Sequence, residues 1–469
     1  MTELALPARR YGPAALLGIY AGLAAAAGDL RISLALAAAP LALGAAWWIL
    51  LRPQRWIPVF LCAAVLLPPL PIALGDSGPH PALLVAALGG FAGLLHLGEW
   101  RLRADAISLA LGLLVAALVG SVALAALYSG PAIAAGSLAR VLLFGISVYL
   151  FFFVRGRPPE RPWKTARLLF WAGTAAALFA CLDFHWQLPA PAGYGPQFIW
   201  LASGVYRRAQ GLFYEASTLG NFCAFFLTLV AVAWLRPRQE LGLRRRTLAA
   251  GAALFAAALV LSYSRASVVN LAVSVTVLLC LPPRRFRLGR LAGVLTLIAA
   301  AGCAVSYYAF PGFARAYWDR LWGSAYYLFS FTGTVLSGRL ESWRVLVEFL
   351  RAHPWHALAG VGYKTLPYSD FIGRRVVADN MYLSMLVETG VLGLGALLFC
   401  HAAILRAAYR AARQADARAA FFGAWILCFW AGETVQMLSG DLLTYWRVLP
   451  LYFWVLAVAA GAADERPVS

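Results

Sequence analysis

Apolar runs follow one another along the chain, joined by short polar connections. They fall at about 11–27, 32–51, 57–74, 82–98, 106–128, 134–154, 166–184, 217–235, 247–263, 266–282, 290–309, 381–405, 418–435 and 446–463. A helix needs ~20 residues to cross a bilayer, so the pattern predicts about twelve to fourteen transmembrane helices, two of the runs being fused or re-entrant at the lower count. The rhythm breaks once, from Pro311 to Ala378, a long polar and aromatic-rich segment. It empties into Asp379-Asn380-Met381-Tyr382-Leu383 and then Glu388-Thr389-Gly390-Val391-Leu392-Gly393. A chain that leaves its own pattern does so where its work is done.

Inside that segment, residues 337–352 read as an amphipathic helix. Leu340, Trp343, Leu346, Val347 and Leu350 recur at helical spacing, and Arg339, Glu341, Arg344, Glu348 and Arg351 fill the other faces. Pro354 and the Gly360-Val361-Gly362 turn end it. Two placements fit: on the membrane surface over a site, or packed onto the spans as part of a loop domain.

Composition fixes the class. Of 469 residues, 62% are hydrophobic and only 13% charged, with a mean hydropathy of +0.74. So few charges cannot cover a water-soluble surface, and the expected fold is an all-α polytopic integral membrane protein. The net charge of +19 does not imply nucleic acid as a partner. The basic residues gather in short loops (52–55, 101–103, 155–164, 236–246, 284–290 and 406–418), as the positive-inside rule requires. Those loops and both termini are expected in the cytoplasm. No cleavable signal peptide is evident, Pro7-Ala8-Arg9-Arg10 leading directly into an apolar run. The seven cysteines have no metal-ligand spacing and read as small buried apolar residues. The chain then divides into N-terminal helices (1–184), an outward loop (185–216), further helices (217–310), the large loop (311–380) and C-terminal helices (381–469).

On the outward face three stretches carry arginine: Tyr206-Arg207-Arg208-Ala209-Gln210-Gly211, the tight turn Ser262-Tyr263-Ser264-Arg265, and the large loop with Arg339. Arginine at a membrane edge is costly and is kept where an anion meets it. A planar guanidinium matches phosphate at any working pH, and several together suit a diphosphate with no metal. Taken singly, each could instead snorkel toward lipid headgroups. Arg140, at the start of a span, is either a further phosphate ligand or the partner of a carboxylate such as Glu433. Candidate general bases are Asp379 and Glu215, each at a loop-to-span junction beside an arginine-bearing segment. Asp379 could also serve only as a helix cap, and Glu388 reads as structural. The six histidines show no metal spacing, and no nucleotide cradle, zinc signature or Ser-His-Asp order occurs. The expected reaction therefore uses no metal and no cofactor.

The order of these pieces resembles the shared region of the O-antigen ligases and O-antigen polymerases, membrane-embedded bacterial glycosyltransferases of the GT-C type. The pieces are Ser262-Tyr263-Ser264-Arg265, Arg339 with Trp343, Gly360-Val361-Gly362-Tyr363, and Asn380-Met381-Tyr382-Leu383 leading to Glu388, Gly390 and Gly393. Upstream, Arg208-Ala209-Gln210-Gly211-Leu212-Phe213 resembles the family's arginine-bearing segment. Ligases of this group show His-Asn, nine residues, then Gly-x-x-Gly. Here Asn380, Gly390 and Gly393 keep the frame while Asp379 stands at the histidine position, which tilts the resemblance toward a polymerase.

The resemblance implies an inner-membrane enzyme with a periplasmic site and an undecaprenyl-diphosphate-linked oligosaccharide as donor. Arg208, Arg265 and Arg339, with Arg207 and Arg140, would hold the diphosphate, and Asp379 or Glu215 would take the acceptor proton. Asn380, Tyr382, Trp343 and Tyr263 would line or support the site. The acceptor is a second lipid-linked glycan for a polymerase and lipid A core for a ligase, with membrane lipids and a chain-length regulator protein as further partners. A secondary transporter and a non-catalytic assembly protein are the readings of other kinds.

Overall fold

The computed structural model describes residues 30–70, 79–100, 103–191, 193–201, 204–235, 241–281 and 339–464, with isolated residues among 18–26 and 308–322. The expected spans at 11–27 and 290–309 fall largely outside these. Within them the chain is a helical membrane protein. Six helices are long and apolar enough to cross a bilayer: α4 (Ala106–Ser129), α5 (Pro131–Gly156), α6 (Pro162–Trp186), α7 (Ala216–Leu235), α12 (Met381–Ala412) and α13 (Ala417–Gln436, continuing as a tight turn to Ser439). Further helices accompany them: α1 (Leu30–Leu51), α2 (Trp56–Leu66), α3 (Pro81–Leu95), α8 (Arg245–Leu261), α9 (Arg265–Cys280) and α14 (Leu449–Asp464). Two more, α10 (Arg339–Ala352) and α11 (Trp355–Ala359), pack against α12.

Helix α13 is the hub, packing against α7, α9, α12 and α14. Its apolar window is 78% buried, against 33% for the peripheral α4. Phe225, Phe226, Trp425, Phe429 and Tyr452 fill the centre, and the Trp425 indole donates to the Phe225 carbonyl (3.0 Å). Apolar packing alone cannot choose a register between helices in lipid, so polar contacts specify it. Asn221 of α7 and Asn270 of α9 both donate to Glu433 Oε2 (2.6 and 2.9 Å) and to Gln436 Oε1 (3.1 and 3.0 Å) of α13. The Tyr452 hydroxyl of α14 bonds Asn221 Oδ1. Gly432 and Gly220 permit the approach, since a Cβ there would meet Asn270 at 2.2 Å and Ser264 at 2.7 Å.

Helix α12 is broken at Gly390 (φ 70°). The break frees the carbonyls of Val387 and Glu388, and the backbone N–H groups of Val361 and Gly362 fill them (3.0 and 2.8 Å). The Gly360-Val361-Gly362 turn is thus a plug seated in a kink. Glu388 is structural, as its sequence position implied: its carboxylate accepts from Ser384 Oγ and the Leu366 N–H (3.3 and 3.4 Å).

Two features went unforeseen. The connection after α6 is not simple loop but an antiparallel hairpin, β1 (Phe198–Leu201) and β2 (Gly204–Arg207), with Phe198 opposite Arg207 and Trp200 opposite Val205. The last span also starts later than the hydropathy implies. Residues 437–448 form a folded connection of two tight turns before α14.

Candidate functional site

Three chain segments meet at one end of the bundle. After β2, the Arg208 N–H continues the ladder to the Gln197 carbonyl (2.9 Å), and the Ala209 N–H bonds the Leu261 carbonyl at the end of α8 (2.9 Å). The Arg208 Nε donates to the Ser262 carbonyl (2.8 Å), fixing its guanidinium beside the Ser262–Arg265 turn. That turn is sharp because Tyr263 adopts φ 51°, with its ring buried and 5.5 Å from Tyr317.

From the third segment, Arg339 at the start of α10 reaches Asp379 ahead of α12, Nε to Oδ2 at 3.1 Å. The Trp343 indole holds the preceding residue by donating to the Ala378 carbonyl (2.6 Å). The cap of α12 is Asn380, whose Oδ1 accepts from the Tyr382 and Leu383 N–H groups (both 3.1 Å). Asp379 therefore does not cap the helix. It sits at φ 45°, a conformation disfavoured for any residue with a Cβ, and its side chain remains 44% exposed.

The cluster so assembled is Arg208, Arg265, Arg339, Glu215, Asp379 and Tyr445. Burial lowers the Arg208 pKa, Tyr445 and Glu215 oppose that, and the Arg265 and Arg339 cations lower it further. A guanidinium keeps its charge under such conditions, so three cations share one locality. Glu215 is pushed up by burial, despite a hydrogen bond from Thr218 Oγ1 (2.6 Å) and the Arg208 charge, and Asp379 adds to the rise. Tyr445 was missed by sequence reading. It is buried, bonded to Ser217, and raised well above the ordinary phenol range, chiefly by burial and then by Glu215 and Glu433.

Arg447 was also missed. It is 7% exposed and spends its guanidinium on three carbonyls: Ala64 (2.8 Å) and Leu67 (2.9 Å) at the end of α2, and Leu212. Its face lies 5.0 Å from the Phe213 ring. It thus clamps the segment that runs from Arg208 to Glu215. A lone arginine in a run otherwise read as a span was the available signal. Lys364, on the turn that plugs the α12 kink, pairs with Asp441 and ties the large loop to the same 437–448 connection.

Other expected site residues lie apart. Arg207 pairs with Asp183 (3.5 Å). Arg140 lies over the Tyr368 ring at 4.5 Å, beside Lys364, whereas Glu433 is held by the two asparagines. The Tyr382 hydroxyl donates to the Thr434 carbonyl (2.7 Å), tying α12 to α13.

Residues 250–398 match the family model described as O-antigen ligase. The resemblance seen in the motifs stands. The matched O-antigen ligase region holds Arg265, Arg339 and Asp379, while Arg208, Glu215 and Tyr445 reach the cluster from outside it. The chain is thus a multi-pass membrane protein, and the third of it that matches is similar to the O-antigen ligases. No curated protein matches the chain.

Proposed function

We propose that the chain is an inverting glycosyltransferase that joins polyprenyl-diphosphate-linked repeat units on the periplasmic side of the inner membrane. The observation that carries this is the convergence of Arg208, Arg265 and Arg339 beside Asp379. Asp379 offsets one of these three cations and burial disfavours the ionised form of Glu215, so an excess of positive charge remains that a lipid diphosphate would meet while bringing its own driving force. The basic loops on the expected opposite face support the orientation.

In the reaction an acceptor sugar hydroxyl attacks the anomeric carbon of the donor as the bond to the diphosphate oxygen breaks. The proton passes to the Asp379 carboxylate. Charge left on the departing diphosphate is met by the three guanidinium groups, whose positions need no reorganisation. Asp379 is the better base because it is half-exposed and reachable, while the surroundings of the partly buried Glu215 favour its protonated form. A second reading, transfer to lipid A core, is favoured by the description of the matched family.

The test uses purified protein in nanodiscs with lipid-linked repeat units as the only substrate. A ladder of lengthening lipid-linked chains is the expected product, lost in Arg208→Ala and Arg265→Ala. Product appearing only after lipid A core is added makes the protein a ligase. Full activity in both folded variants overturns the transferase reading.

A further inference from the structure

The hairpin between α6 and α7 presents an apolar face that no part of the described chain covers. Cross-strand partners share a face and neighbours along a strand alternate, so Phe198, Trp200, Val205 and Arg207 lie on one side. Ile199 points to the other and is 5% exposed. Trp200 is 80% exposed, and Phe198 and Val205 are half-exposed. A two-stranded ribbon is marginal in water by itself, and exposed apolar faces of this kind mark a contact surface.

What lies against it follows from where the hairpin is tethered. Leu178, Leu182 and Trp186 are exposed at successive four-residue steps along α6, the lipid-facing stripe of a membrane span. The stripe ends at Trp186, the last residue of α6, and the chain carries it on through exposed Leu188 toward β1. The base of the hairpin is bonded to the end of α8 through the Ala209 N–H and the Leu261 carbonyl. The ribbon therefore stands at the end of the bundle, where hydrocarbon gives way to headgroups. Tryptophan, with an apolar body and one N–H, is suited to that boundary. Arg207 shares the face without carrying a free charge into it, because Asp183 pairs with it.

We infer that this hairpin is an interfacial anchor, its Phe198, Trp200 and Val205 face seated in the headgroup and upper acyl region of the bilayer. The anchor sets depth. Arg208 bonds the next rung of the same ladder, so the level at which the ribbon rests fixes the height of Arg208 relative to lipid phosphates. This holds whichever acceptor the protein uses, and it stands independently of the proposed reaction.

The experiment places the full chain in nanodiscs made of lipid brominated at shallow acyl carbons or of the unbrominated lipid. The chain has 17 tryptophans, so the Trp200 contribution is isolated as the emission of wild type minus that of Trp200→Phe. The expected result is a blue-shifted difference emission that is largely lost in brominated lipid and is insensitive to aqueous iodide. Difference emission that bromine leaves intact overturns the inference. If iodide quenches it the face meets water, and if iodide does not, protein covers it. Val205→Trp adds an indole at the cross-strand neighbour, and its gained emission is read the same way if Trp200→Phe fails to fold.

Discussion

At the residue scale the question is which acid takes the proton. Asp379 and Glu215 are near enough for the one to raise the other's pKa, yet their surroundings differ. Asp379 keeps 44% of its side chain exposed in an ion pair with Arg339, and its left-handed backbone is strain of the kind stored at working sites. Glu215 is enclosed, and burial favours its protonated form. Replacing Asp379 with Asn keeps shape and removes basicity, so turnover is expected to fall about 100-fold or more. Glu215→Gln keeps the shape of the neutral acid that burial favours, so turnover and donor binding are expected to stay close to wild type. Full turnover in Asp379→Asn with loss in Glu215→Gln would transfer the role. The sequence could narrow the base to these two because loop-to-span junctions are visible in it. It could not separate capping from catalysis at Asp379, since Asp and Asn both cap helices, and only the bonds to Asn380 decide which one does.

A second residue-scale expectation concerns pH. His80 is enclosed near Arg447, with its Nε2 at 2.8 Å from the Leu67 carbonyl and its Nδ1 accepting from the Ala82 N–H (3.1 Å). Burial, and then the Arg447 charge, depress its pKa from 6.5 to about 4. A base whose folded value is depressed stabilises the fold fully above its unfolded pKa, and that stability is lost as pH falls between about 6.5 and about 4. The unfolding temperature in nanodiscs should drop across that window, and His80→Gln should flatten the drop.

At the scale of elements, α12 and its plug form one unit. Gly390 turns the helix aside, and a Cβ there would lie 2.1 Å from the Leu358 carbonyl oxygen. Reciprocally, a Cβ on Gly360 would lie 2.4 Å from the Glu388 carbonyl oxygen. Gly390→Ala is thus expected to cost about 2–4 kcal/mol, combining backbone strain and a steric clash. Thermal unfolding would report it, together with faster hydrogen exchange at the Val361 and Gly362 amides. Both glycine groups were visible as motifs, but their meeting was not, because a kink shows no periodicity. For α10 the structure shows which face is packed. Leu346 is buried in a small core with Val361, Leu366, Val376, Ala378 and Val387, the last of these on α12. The hairpin escaped notice for a different reason: strands of four residues, interrupted by glycine and flanked by proline, offer too few alternations to stand out.

At the scale of the whole molecule, hydropathy gave the helical membrane class and most helix positions, because a bilayer imposes length and apolarity on every span. It placed the start of the last helix at 446, three residues before Leu449, since Trp446 and Val448 are hydrophobic enough to extend the run. Arg447 sits in that misread stretch and Tyr445 directly before it, two of the groups that complete the site's surroundings. Connections between distant segments carry no local signature. Arg447 meets Ala64 and Leu67, and Tyr382 of α12 is tied to α13.

The Arg447 clamp also sets a schedule. Chains are made from the N-terminus, and a contact between the end of α2 and residue 447 cannot exist until about 380 further residues have left the ribosome. Before then the Arg208–Glu215 segment has its cations but lacks the guanidinium that holds the Leu212 carbonyl. Closure over so long a separation is slow and comes late in folding. The corner around Arg208 and Glu215 is therefore closed only after residue 447 has been made, and a chain stopped short of it carries this segment without its clamp.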